Sequence, residues 1–124
     1  MTNQSKTPVP RISRDEIKTK LDRGDKFVLV EALPEQYYRK AHLPGAINLP
    51  HDQIGELAPR LLPDKSQEIV VYCANTTCQS STIAAHHLAE LGYTNVKRYV
   101  EGKQDWLDAG LPVEGVRETP AAAG

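Results

Sequence analysis

Two unbroken apolar runs, Phe27-Val28-Leu29-Val30 and Ile69-Val70-Val71-Tyr72, constrain this chain more than any other feature. A strand wetted on one face alternates apolar and polar residues. A run that is apolar throughout must be covered on both faces, as inside a parallel sheet. The intervening sequence supplies the covers. Ser13-Arg14-Asp15-Glu16 has the form of a capping box, and Ile17, Lys20 and Leu21 follow at helical spacing until Gly24. Pro34-Glu35-Gln36-Tyr37-Tyr38 opens a second short helix. After the turn His42-Leu43-Pro44-Gly45, Ala46-Ile47-Asn48-Leu49 reads as a short strand closed by Pro50. Ile54, Leu57, Leu61 and Leu62 line one side of a third helix, ended by Pro63-Asp64.

From Ser80, the residues Ile83, Ala84, His87, Leu88 and Leu91 repeat at helical spacing before Gly92. Val96-Lys97-Arg98-Tyr99-Val100 then alternates like a strand. Residues 103–109 read as a last helix with Trp106 and Leu107 inward. Strands alternating with helices predict parallel pairing and a three-layer α/β/α sandwich.

A length of 124 residues suits one domain, expected over 11–116, with a flexible arm at 1–10 and a flexible tail at 117–124. Net charge is −1 with no run of like charge, so no basic face points to a nucleic-acid partner. No apolar stretch approaches the roughly 20 residues that span a bilayer. The polar, proline-bearing first eleven residues lack the apolar segment of a secretory signal, which places the expectation in the cytoplasm. Two cysteines in such a setting are expected to react rather than staple.

Cys73 follows the second apolar run directly, at the carboxyl end of a strand, where open parallel sheets bind their ligands. Alone, a strand-end cysteine is as readily a small buried residue as a nucleophile. The stretch after it, Ala74, Asn75, Thr76, Thr77, Cys78, Gln79 and Ser80, is small or polar without helical period. Curled into a loop, its N–H groups form a nest for an anion, backed by a helix N-terminus. Both effects are expected to favour a Cys73 thiolate, the nucleophilic form. Such chemistry calls for no cofactor and no metal. Two cysteines five apart, with no second pair, match no common zinc pattern.

Ordered motifs then add a resemblance. Val28-Leu29-Val30-Glu31, Glu35-Gln36-Tyr37-Tyr38 and His42-Leu43-Pro44-Gly45-Ala46-Ile47-Asn48 resemble the first half of a rhodanese domain. Ile69-Val70-Val71-Tyr72-Cys73, Ala84-Ala85, Leu91-Gly92-Tyr93-Thr94-Asn95-Val96 and Glu101-Gly102 with Trp106 resemble the second. The resemblance implies a central, mainly parallel five-stranded sheet. It also implies sulfur transfer, in which Cys73 takes sulfane sulfur from a donor such as thiosulfate, becomes a persulfide and passes the sulfur to a thiol or cyanide. The partners so implied are a small sulfur donor or acceptor, or a thiol-bearing protein. Nothing in the sequence specifies an oligomeric state.

Three features depart from the family pattern. The loop between Cys73 and Ser80 holds no Arg, Lys or Gly, and it is about two residues longer than the common form. Losing a charge-assisted hydrogen bond costs about 1.5–3 kcal/mol, so weak use of free thiosulfate is expected. Glu31-Ala32-Leu33 stands where the family has Asp-x-Arg, leaving that internal ion pair absent or rebuilt, and Glu101 replaces the first glycine of a Gly-Gly.

Cys78 is a candidate resolving thiol for a Cys73 persulfide or sulfenate, or a small packed residue. Four readings follow: sulfurtransferase or sulfur carrier, Cys73–Cys78 redox protein, phosphatase or arsenate reductase on the same scaffold, and non-catalytic regulatory module. The missing arginine counts against the third, and the presence of Cys73 against the fourth. His42 is expected to fix its turn, and His51 to lie at the surface or cap a helix. Of His86 and His87, one is expected to face solvent and the other the sheet.

Overall fold

A computed structural model of the chain describes residues 9–115. The first helix, α1 (Arg14–Arg23), begins as its sequence requires. The Ser13 side chain accepts the Glu16 N–H, and Glu16 reciprocates to the Ser13 N–H at 2.9 Å. Gly24, at φ 74°, closes it in the left-handed region that glycine adopts without strain. There follow β1 (Val28–Glu31), α2 (Glu35–Lys40), β2 (Ile47–Asn48), a 3-10 turn at His51–Gln53, α3 (Ile54–Leu61), β3 (Ile69–Tyr72), α4 (Ser80–Glu90), β4 (Val96–Tyr99) and α5 (Gly102–Asp108).

The strands form one parallel sheet in the order β2-β1-β3-β4, with Val28 beside Ile69 and Ile69 beside Val96. The two apolar runs are its centre, and alternate side chains feed opposite cores. Val30, Ile69 and Val71 pack with Ile54, Ala58, Ala84, Ala85 and Leu88 on one face. Leu29, Val70 and Tyr72 pack with Ile17, Leu43, Tyr99 and Trp106 on the other. The expected three layers result. Each large side chain so buried contributes about 1.5–3 kcal/mol of transfer free energy.

Four strands are present among the described residues, where the resemblance implied five. Beyond β4 the chain makes only a single parallel bridge, Arg11 to Arg98, with the Arg98 N–H on Pro10 O at 2.8 Å and the Ile12 N–H on Arg98 O at 2.9 Å. The ladder stops because Pro10 has no N–H to donate and Ser13 already caps a helix. Val9 is buried in the first core. Residues 1–8 of the expected arm, and the expected tail over 117–124, lie outside the described residues.

Three side chains expected inward point out. Leu61, Ile83 and Leu107 are exposed, because Ala58 and Leu62, Ala84 and Leu88, and Trp106 occupy the inward positions of α3, α4 and α5.

Candidate functional site

All four parallel strands deliver their carboxyl ends to one edge of the sheet, and the loop from Cys73 to Gln79 lies there between β3 and α4. Its base is anchored to α5. The Lys103 N–H bonds Cys73 O and the Gln104 N–H bonds Ala74 O, both at 2.8 Å. Gly102 makes this approach feasible. Its φ is +72°, and a Cβ there would lie 2.7 Å from Cys73 O and 2.9 Å from Asn75 N. The glycine the loop requires is therefore Gly102. Glu101, at φ −65°, sits in ordinary helical conformation, so its substitution for glycine leaves the geometry intact.

Asn75 folds the loop on itself. Its Oδ1 accepts the N–H groups of Thr77 and Cys78 at 3.1 and 3.2 Å and the Thr77 hydroxyl at 2.8 Å. This Asx arrangement turns the chain so that Cys78 returns above Cys73. Cys73 is buried, and its Sγ lies 3.3 Å from Cys78 O and 3.5 Å from Ser81 Oγ. Cys78 is half-buried, and both thiols are free. Thr76, Thr77 and Gln79 face solvent, while Ala74 and Ser80 are half-buried.

The nest expected from the sequence exists, but it serves mostly the second sulfur. Partial burial raises the Cys78 thiol. Hydrogen bonds from the Cys73 thiol, the Ala74 and Ser80 N–H groups and the Ser80 hydroxyl outweigh this, leaving it below its usual value. Cys73 moves the other way. Burial and its hydrogen bond to Cys78 push its thiol up, against the opposing Ser81 hydroxyl and N–H. The expectation of a Cys73 thiolate in the resting loop is thus corrected. Of the two thiols Cys78 is the more readily ionised, because the wetter sulfur with more donors holds a charge at lower cost. The N–H groups of Ser80 and Ser81, the unpaired first donors of α4, each face one of the two sulfurs.

The internal ion pair is rebuilt beneath this loop. Glu31, fully buried at the end of β1, accepts the Tyr72 hydroxyl at 2.8 Å and Lys103 Nζ at 2.9 Å. Lys103 Nζ also donates to Ala41 O at 2.6 Å and Tyr37 O at 3.1 Å, using all three protons. Burial, and then the Glu31 charge, push the Tyr72 phenol up, so it stays protonated and donates. It also accepts the Leu43 N–H at 3.0 Å, tying the His42–Gly45 turn to the strand.

The histidines stand apart from the sulfurs. His42 stacks on Tyr38, with centroids 3.8 Å apart, and its Nδ1 lies 2.8 Å from Tyr38 O, as its turn-fixing role requires. His51 opens the 3-10 turn. His86 and His87 are both half-exposed, and His87 leans toward Gly55 of α3 rather than the sheet. Among the described residues no three His, Cys, Asp or Glu side chains converge to hold a metal, and no helix is long and apolar enough to cross a membrane.

Sequence reasoning missed Ser81 and Lys103, and met Gly102 only within a motif. Lys103 had a signal, since an acid ending an apolar strand demands a buried cation.

A parallel α/β sandwich with a cysteine loop at the carboxyl edge of its central strand defines a class, and comparison with known proteins names it. The chain belongs to the rhodanese-like domain family, whose model matches residues 13–109. It is 36% identical over 109 residues to the HTH-type transcriptional regulator Rv0324 of Mycobacterium tuberculosis, covering 87% of this chain and 46% of that protein. It is 31% identical over 104 residues to the adenylyltransferase and sulfurtransferase UBA4 of Candida albicans, covering 79% of this chain but 23% of that protein. The solution structure of the rhodanese-like domain from the Anabaena protein Alr3790 superposes with a TM-score of 0.76 at 27% identity, covering 94% of this chain and 89% of that domain.

Proposed function

We propose that the chain is a sulfurtransferase or sulfane-sulfur carrier that holds a persulfide on Cys73 and passes its sulfur to a thiol. The observation that carries this reading is the placement of Cys73 Sγ at the carboxyl end of β3, 3.5 Å from Ser81 Oγ in the first turn of α4. A likeness to a protein named as a sulfurtransferase supports it. Loading begins with loss of the Cys73 proton, since the thiolate is the nucleophile. The Cys73 thiolate then attacks the outer sulfur of thiosulfate, the S–S bond breaks and sulfite leaves. The loop offers a donor no cationic side chain between Cys73 and Ser80. Turnover of free thiosulfate is therefore slow, and a thiol-bearing protein that brings its own binding energy is the favoured partner. The same absence disfavours phosphatase or arsenate reductase chemistry. A cytoplasmic setting suits two free cysteines.

The test is intact mass. Cys78→Ser protein incubated with thiosulfate gains one sulfur, about 32 Da, and the Cys73→Ser variant gains none. A Cys78→Ser protein that never gains sulfur refutes the reading.

A further inference from the structure

The second cysteine has no part in forming a persulfide on Cys73, yet the fold brings it back onto the first. Four bonds to Asn75 close the turn between them: three to its Oδ1, and the Cys78 N–H to its carbonyl at 3.2 Å. Cys73 Sγ lies 3.3 Å from the Cys78 carbonyl oxygen, so the turn sets the two residues against one another. Nothing cationic in residues 74–79 stands ready to hold an anionic sulfur on Cys73. A persulfide formed there faces a nucleophile before it faces solvent, because Cys73 is buried and Cys78 is the outer of the two.

We propose that Cys78 resolves the Cys73 persulfide within the loop, releasing hydrosulfide and leaving a Cys73–Cys78 disulfide that an external dithiol must reduce. This rests on the persulfide reading above. The Cys78 thiolate attacks Cys73 Sγ, a Cys73–Cys78 S–S bond forms, and the bond to the outer sulfur breaks with its electron pair leaving on that sulfur as hydrosulfide. The sulfane sulfur is reduced and the two thiols are oxidised, so no other oxidant is involved. Hydrosulfide is the conjugate base of a stronger acid than an alkyl thiol, and the better leaving group departs faster. Two thiol–disulfide exchanges with a dithiol, small or on a protein, restore both cysteines. Donors at Ala74, Ser80 and the Ser80 hydroxyl lower the Cys78 thiol and so favour the thiolate that attacks. The domain then acts as a sulfide-releasing, dithiol-dependent sulfurtransferase, and its disulfide form records exposure to sulfane sulfur.

The experiment uses the full chain with excess thiosulfate, whose other loading product is sulfite, in the absence of reductant. Hydrosulfide is trapped with bromobimane, and intact mass is read before and after adding dithiothreitol. Wild-type protein is expected to release one hydrosulfide per chain and finish about 2 Da lighter, while Cys78→Ser and Cys78→Ala stay about 32 Da heavier and release none until dithiothreitol is added. Wild-type protein that keeps its extra sulfur as durably as the two Cys78 variants overturns the inference and leaves the persulfide reading standing. If no variant takes up sulfur, the persulfide reading falls and this inference with it.

Discussion

Replacing Lys103 with methionine tests the buried network beneath the loop. Glu31 is fully buried, and the side chain of Lys103 is only 11% exposed, so the pair sits away from water. Methionine keeps the length and the apolar stem and removes only the charge and its three donors. Glu31 is left with the Tyr72 hydroxyl alone, and Tyr37 O and Ala41 O lose their lysine. Breaking a buried pair by removing one partner costs about 3–5 kcal/mol. That is a large share of the 5–15 kcal/mol that holds a domain of this size together. Glu31→Gln combined with Lys103→Met removes the orphaned charge, and the double variant is expected to recover more than half of the loss. Urea unfolding at 25 °C followed by far-UV circular dichroism reads both, through midpoints at a common slope. A Lys103→Met cost below about 1 kcal/mol, or a double variant no more stable than the single, refutes the argument that an uncompensated Glu31 carboxylate dominates.

Other expectations concern the loop and the first helix. Gly102→Ala forces a Cβ against Cys73 O in a left-handed backbone, and it is expected to cost about 2 kcal/mol or more and to slow sulfur loading, read by urea melts and mass. With limiting iodoacetamide, Cys78 is expected to be alkylated before Cys73. A lowered thiol stays ionised below its usual 9.0, so reactivity persists as pH falls under that value; Cys73→Ala removes a donor and moves the midpoint up. Peptide mapping across pH checks both. Ser13→Ala removes one half of the capping box and is expected to cost about 1 kcal/mol in a urea melt, without altering hydrosulfide release.

The apolar runs at 27–30 and 69–72 were enough to place two central parallel strands, because a strand covered on both faces has no other composition. Cys73 at the strand end, the capping box at Ser13 and the stop at Gly24 were equally readable, since each is a local pattern. Helical phase was less so. Leu61, Ile83 and Leu107 match an inward spacing about as well as their neighbours do, and only packing against the sheet chose Leu62, Leu88 and Trp106.

Local chemistry and long-range placement divide the same way at the site. The sequence by itself determined that a cysteine would end the central strand and that the following loop would lack a cation, and it left the ion pair at Glu31 either absent or rebuilt. These follow from residue types and short spacings. Only the tertiary structure decided that the partner is Lys103, 72 positions away. Only it decided that Gly102 lets α5 press against the loop, and that the donors expected for Cys73 converge mostly on Cys78. Those outcomes depend on which groups meet when distant segments close over one another, and on which of two neighbouring sulfurs is left less buried. That difference in burial and donors makes Cys78 the more readily ionised of the two thiols.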